Sequence, residues 1–274
     1  MRFRSFEFIV GAGLTGAMVL AVVLADVVFE AGAEAMDLAM RLAVPFRSWA
    51  HPLGTDPLGR DVLARVVSGG RVSLTVGVLS VLSAAAVGTG AGLVAGYYRG
   101  VWDTVLMRWA DVQLALPFIL VALTFAAILG TDMWKLILFM ATAQWVQYAR
   151  VVRSATMVLR ERDFVVSAVA VGVRDPVIVW RHILPNAAAP VLVLMTLNVA
   201  TNILLESSLT FLGLGIDPMV PSWGGMLADG RTYLQTAWWV SVFPGLAIML
   251  TVLGLNLLGD WLRDSTDPTT RSVS

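Results

Sequence analysis

Uncharged apolar residues gather along this chain into six runs, 8–25, 72–98, 112–131, 136–149, 183–205 and 232–259, and the charges fall in the segments between them. A helix crossing a hydrocarbon core about 30 Å thick needs roughly 20 residues at about 1.5 Å each. Five of the runs meet or approach that length. The run 136–149 is shorter and carries Gln144 and Gln147, but it follows 112–131 through Thr131-Asp132-Met133-Trp134-Lys135, which predicts a tight hairpin. Arg150 and Arg153 at its end can extend toward the headgroups. The pattern therefore predicts an all-α, polytopic membrane protein with six transmembrane helices.

The segments between the runs divide the chain further. An N-terminal helix and external loop occupy 1–71, with an amphipathic piece expected over 34–49, and a membrane core follows over 72–274. Residues 98–111 and 153–182 read as internal loops, and 207–231, which contains "FLGLGIDPMVPSWGGML", as an external re-entrant or surface turn. Pro117, Pro190 and Pro244 fall inside runs, where a kink is tolerated if neighbouring helices cover the freed carbonyl. The second run is crowded with small residues from Ser83 to Gly96. Such a face lets helices approach closely, either within one subunit or against a partner.

Composition agrees with a bilayer as solvent: 58% of the 274 residues are hydrophobic, 14% are charged and the mean hydropathy is +0.79. Soluble domains carry about 25% charge. A net charge of zero argues against a nucleic-acid partner, which would require a basic face. With no cysteine there is no disulfide, thiolate metal site or cysteine nucleophile. Arginine sets the orientation. With the N-terminus inside, 12 of the 18 arginines (Arg2, Arg4, Arg99, Arg108, Arg150, Arg153, Arg160, Arg162, Arg174, Arg181, Arg263 and Arg271) fall on the cytoplasmic side. That bias predicts both termini in the cytoplasm. "MRFR", the first apolar run and Ala31-Gly32-Ala33 also have the make-up of a cleavable signal peptide. The run ends well upstream of that site, so a retained first helix is expected.

Residues 163–186, "DFVVSAVAVGVRDPVIVWRHILPN", break the pattern, being mostly apolar yet charged and punctuated by proline. Phe164, Ala168, Val171 and Gly172 recur at helical spacing, and Gly172 suits a left-handed helix C-terminus. Asp175 before Pro176 suits the start of a second helix, as cap and first-turn residue. The segment thus reads as two short helices at the cytoplasmic surface with an apolar ridge, and such a ridge fits a groove in another protein.

This stretch resembles the "EAA" loop of ATP-binding-cassette importer permeases: Gly172 followed after a short spacer by Leu184-Pro185, with "RHILPN" similar to the peptide/nickel (dipeptide/oligopeptide) branch. "HPLGTDPLGRDVLARVVSGGRVSL" at 51–74, and "ESSLTFLGLG" and "PSWGGML" within 206–227, resemble the same branch, so the likeness runs from about residue 50 to the end. The motif's glutamate and first alanine fall on Val166 and Ser167, and only Ala168 is kept.

The resemblance implies a permease of the bacterial inner membrane importing peptides or related solutes. Its coupling loop over 153–185 would dock an ATPase through Phe164, Ala168, Gly172, Asp175, Arg181, His182, Leu184 and Pro185. It also implies a second homologous permease, two ATP-binding subunits and an external substrate-binding protein. No phosphate-cradling loop occurs here, so ATP and Mg would be bound by those subunits and no cofactor by this chain. Nickel chelates or other non-peptide solutes are alternative cargo.

Asn198, Asn202 and Glu206 share one helical face by spacing, either lining the path or bonding between helices. Gln144 and Gln147 make a weaker pair of the same kind. Asp26 and Asp260 read as interfacial charges. Asp56, Arg60 and Asp61 in the external loop make either a docking surface for the binding protein or a loop held by its own ion pairs. His51 and His182 fall on opposite sides and cannot share a metal. An intramembrane enzyme would require a nucleophile and base, paired acids or a metal within the spans, and the chain supplies no usual set. An ion-coupled secondary transporter would favour broken spans and internal repeats, and no repeat is visible in the sequence.

Overall fold

A computed structural model describes residues 2–28 and 33–266. Ala31 and Gly32 of the small-residue site, and Arg271 of the cytoplasmic set, lie outside the described residues. The helices are α1 (Arg2–Val28), α2 (Val62–Tyr98), α3 (Gly100–Ala115), α4 (Phe118–Leu129), α5 (Met133–Arg160), α6 (Asp163–Ala170), α7 (Asp175–Ile178), α8 (Leu184–Phe211), α9 (Trp223–Gly230) and α10 (Trp239–Thr266). Among the described residues the only β feature is an isolated antiparallel bridge between Thr55 and Asp61. The chain is an all-α polytopic membrane protein.

The six runs do not become six equivalent rods. Among the described residues, four helical stretches are long and apolar enough to cross a membrane: Phe6–Ala25, Val62–Tyr98, Asp175–Phe211 and Trp239–Ser265. The run 112–131 is broken instead of kinked, because α3 and α4 meet at 90°. Leu116, held extended at φ −84° and ψ 132°, precedes Pro117, and a residue before proline is pushed out of the helical region. The run 136–149 lies inside the 28-residue α5, whose helix continues past Arg150 and Arg153. Pro190 and Pro244 remain inside continuous helices.

The chain forms two compact units. The first comprises Met1–Val78, Ala126–Ile137 and Val199–Leu258. Its core joins Val62, Val66, Ile203, Trp223, Met226, Trp239 and Ile248. The amphipathic piece expected over 34–49 is absent; only a three-residue 3-10 turn, Leu38–Met40, forms there. This part of the loop pairs its backbone with 52–56 instead, as Leu42 N–H donates to Asp56 O (3.1 Å), Thr55 N–H to Ala43 O (3.1 Å) and Phe46 N–H to Pro52 O (3.0 Å). Those bonds satisfy in one step the backbone groups that a helix would have satisfied.

The second unit comprises Leu79–Phe125, Leu138–Asn198 and Gly259–Ser274. Its main seam joins α2 to α5 through Gly88, Gly92 and Gly96, one turn apart. A Cβ at these positions would lie 2.3 Å from Trp145 O, 2.6 Å from Ala149 O and 2.7 Å from Thr156 Cβ, so the backbones touch. The small-residue face is therefore a seam within the chain at these three positions. Gly90, between them, has nothing within 4 Å. Toward α3, Arg153 pairs with Asp103 (Nη2 to Oδ2, 2.7 Å) and Arg150 with Asp111 (2.7 Å). At the elbow, Gln113 donates to the carbonyls of Thr142 and Ala143 and accepts from Trp145 Nε1 (2.8 Å).

Candidate coupling and translocation sites

The candidate coupling segment starts at α6, capped at its C-terminus by Gly172 at φ +79°. Gly172 N–H donates to Val169 O (3.0 Å) and Val173 N–H to Ala168 O (3.1 Å), the paired bonds that close a helix through a left-handed residue. Asp175 is not the cap of the second helix. Arg174 takes that position, and Asp175 is the first helical residue. Its carboxylate accepts instead from the Tyr97 hydroxyl at 2.9 Å, tying the bend to the end of α2.

The second short helix does not stop before the span. It passes from α7 through a π-helical turn, Val179–Ile183, directly into α8. Pro185 has no N–H to continue an ordinary ladder, and in the wider turn Leu184 N–H reaches Val179 O. The Asn186 side chain donates to His182 O at 2.6 Å.

Two faces result. Val165, Ala168, Ile178, Val179 and Ile183 are buried, whereas Phe164, Val169, Val171, Val177 and Trp180 are exposed, Val171 by 80% and Trp180 by 67%. Ala168 thus packs inward, and Phe164 belongs to the exposed ridge. Arg181 is exposed, while His182 and Leu184 are half-buried. Trp180 also walls an apolar groove of about 370 Å³ with Ala86, Gly90 and Leu93 of α2 and Leu184 and Val191 of α8.

The motifs at 51–74 and 206–227 converge inside the first unit. Glu206 is fully buried. Its carboxyl accepts from Thr210 Oγ1 (2.9 Å) and Ser207 Oγ (3.2 Å), and Ser73 of α2 is its third hydroxyl partner. Thr210 Oγ1 also accepts from Ile216 N–H (3.3 Å), and Ser73 Oγ from Trp223 N–H (3.4 Å). Trp223 is fully buried and donates its indole N–H to Val66 O (2.8 Å). Glu206 thus anchors the turn between α8 and α9 on one side and α2 on the other. Asn202 is also fully buried, in the same unit.

The loop ahead of α2 carries its own brace. Asp56 is fully buried, with its carboxylate 2.6 Å from Arg60 Nε and 2.7 Å from Arg65 Nη1. It also accepts from the backbone N–H groups of Leu58 and Arg60. Asp229 completes the set, 3.4 Å from Arg65. Asp61 caps α2 by accepting from Ala64 N–H (2.7 Å) and meets His51 Nδ1 at 2.9 Å. Asp56 thus has no surface to offer another protein, and its charge fixes the shape of the loop.

Asn198 belongs to the second unit, where its Nδ2 donates to the Tyr148 hydroxyl (2.9 Å) and to Gln147 Oε1 (3.3 Å). Sequence reasoning missed Tyr97, Ser73, Thr210, Arg65 and Asp229 as partners. Arg65, Ser73 and Thr210 lie inside recognised motifs, and nothing in those motifs says which groups they meet.

The family described as binding-protein-dependent transport system inner membrane component matches residues 88–272. The chain belongs to it. A dipeptide transport system permease protein of Alkalihalophilus pseudofirmus is 41% identical over 264 residues, 96% of this chain and 86% of that one. A glutathione transport system permease protein of Pectobacterium atrosepticum is 44% identical over 225 residues, covering 82% and 75%. Its counterpart in Escherichia coli is 46% identical over 221 residues, covering 81% and 73%. The break between α3 and α4 would by itself suit an ion-coupled transporter, but kinship on this scale makes the chain a binding-protein-dependent permease with a proline-broken helix.

Proposed function

We propose that this chain is one permease subunit of an ATP-driven importer that receives peptides or related small solutes from an external binding protein and passes them into the cytoplasm. The observation that carries the reading is the coupling segment. Its bend is fixed by Gly172 and by the Tyr97–Asp175 bond, yet its outer face leaves Phe164, Val169, Val171 and Trp180 exposed. A rigid apolar ridge of this kind fits a groove in a partner.

In this reading the partner is an ATP-binding subunit, two of which bind ATP and Mg, and a second homologous permease completes the pathway. The names of the relatives, dipeptide and glutathione permeases, support peptides as cargo. Both termini lie in the cytoplasm, on the arginine bias. Asn198, Asn202 and Glu206 belong to the path-lining helix, and the braced loop around Asp56, Arg60 and Asp61 presents its outer surface to the binding protein.

The test is reconstitution of this chain with the second permease, the ATP-binding subunits and the binding protein in vesicles. ATP-dependent uptake of a labelled peptide is expected only when all are present. Full uptake by this chain alone would refute the reading.

A further inference from the structure

We propose that Gln147 and Asn198 form an uncharged site that binds the backbone amide groups of a peptide in transit; this deepens the importer reading and rests on it. Asn198 has two amide hydrogens, and both are committed, to the Tyr148 hydroxyl at 2.9 Å and to Gln147 Oε1 at 3.3 Å. Tyr148 is fully buried, so it holds Asn198 from behind. The pair is left with the amide N–H groups of Gln147 as donors and the carbonyl of Asn198 as acceptor. A peptide unit presents the complement, one C=O and one N–H.

Gln147 is exposed on the second unit although it lies in an apolar run of α5. A carboxamide facing hydrocarbon would leave its donors unsatisfied, so polar groups on membrane helices face a cavity or another protein. The patch is also electrically neutral. Arg150, one turn along α5, is engaged by Asp111 at 2.7 Å. A site of this kind ignores side-chain charge and reads the peptide unit itself, the feature that peptides of different sequence share.

The chain has no cysteine, so Gln147→Cys places a unique thiol at the site. The full importer complex carrying Gln147→Cys is given Ala-Cys-Ala activated as a mixed disulfide, with Leu192→Cys, exposed on α8, as the control position. An ATP-dependent peptide adduct is expected at 147 and not at 192. Independently, Gln147→Leu should lower uptake of labelled tri-alanine about tenfold, the loss expected for one hydrogen bond, while complex recovery and ATPase activity stimulated by the binding protein stay normal. The shorter carboxamide of Gln147→Asn should recover part of that loss.

No adduct at 147, or equal adducts at both positions, overturns the proposal, as does normal uptake by Gln147→Leu. If Gln147→Leu does not assemble, the adduct at 147 decides alone. A wild-type complex that takes up no tri-alanine under ATP instead refutes the peptide-importer reading, and this proposal with it.

Discussion

Replacing Gly172 by valine separates the bend of the coupling segment from the rest of the fold. Gly172 has φ +79°, and a Cβ built there meets nothing within 4 Å, so the substitution adds strain without a clash. A non-glycine residue in the left-handed region costs about 1–2 kcal/mol, and a β-branched side chain belongs at the upper end. If the segment relieves that strain by opening, the bonds from Gly172 N–H to Val169 O and from Val173 N–H to Ala168 O are lost, and the bend loses its lock. A shift of 1–2 kcal/mol changes the population of the bent form by about 5–30-fold. An ATP-binding subunit that accepts only the bent form then shows an apparent affinity reduced by that factor. Asparagine tolerates the left-handed region, so Gly172→Asn should restore most of the binding. The assay titrates purified ATP-binding subunit against each variant in lipid nanodiscs, with circular dichroism to confirm unchanged helix content. Wild-type affinity for Gly172→Val, or equal losses for valine and asparagine, would refute the reasoning.

Gly92→Ala should lower the thermal midpoint of the purified chain, because its Cβ would sit 2.6 Å from Ala149 O and overpacking costs about 1–3 kcal/mol; Gly90→Ala, with open space around it inside α2, should not lower the midpoint and should raise it slightly, since a mid-helix glycine costs about 0.5–1 kcal/mol relative to alanine. Asp56→Ala removes the carboxylate that pairs buried Arg65 at 2.7 Å, a loss of about 3–5 kcal/mol for a broken buried pair, seen as faster proteolysis of the loop 33–61 in intact vesicles. Glu206→Leu deprives Ser73, Ser207 and Thr210 of their shared acceptor and should cost about 1–3 kcal/mol by thermal unfolding. Glu206→Gln keeps an acceptor and should assemble normally; if it also transports at the wild-type rate, Glu206 is an anchor and not a path contact.

What the sequence revealed was local. Gly172 could be placed in the left-handed region because a single residue and its neighbours decide helix termination. The continuity from α7 into α8 was hidden because Pro185 reads as a stop, whereas a π-turn through Val179–Ile183 lets the helix pass it. At Pro117 the same residue type did break the helix, since Leu116 moved into the extended region ahead of it. Proline therefore has two outcomes here: the helix passes Pro185 through a widened turn and runs on through Pro190 and Pro244, whereas it ends ahead of Pro117. Spacing put Asn198, Asn202 and Glu206 on one face, but it could not say that Glu206 is enclosed by hydroxyls from two helices while Asn198 meets Tyr148 and the exposed Gln147. The contacts of Glu206 with Ser73 and of Asn198 with Tyr148 and Gln147 join residues distant in sequence and leave no periodic signature.

The motifs that carry the resemblance divide by what they do in the folded chain. Asp56, Trp223 and Glu206 are fully buried, so the recognisable residues of the motifs at 51–74 and 206–227 are occupied in holding the first unit together. Gly172 and Asp175 fix a bend in the same way. The surfaces left for other molecules are built from residues that no motif specifies: Val169, Val171 and Trp180 on the coupling ridge and Gln147 beside Asn198. Fixed residues hold the angle of the ridge and the shape of the loop, while unspecified apolar and carboxamide groups supply contact area and hydrogen bonds. Strain or loss at a motif residue should therefore act on every partner and solute alike, whereas change at Gln147 or Trp180 should act on one.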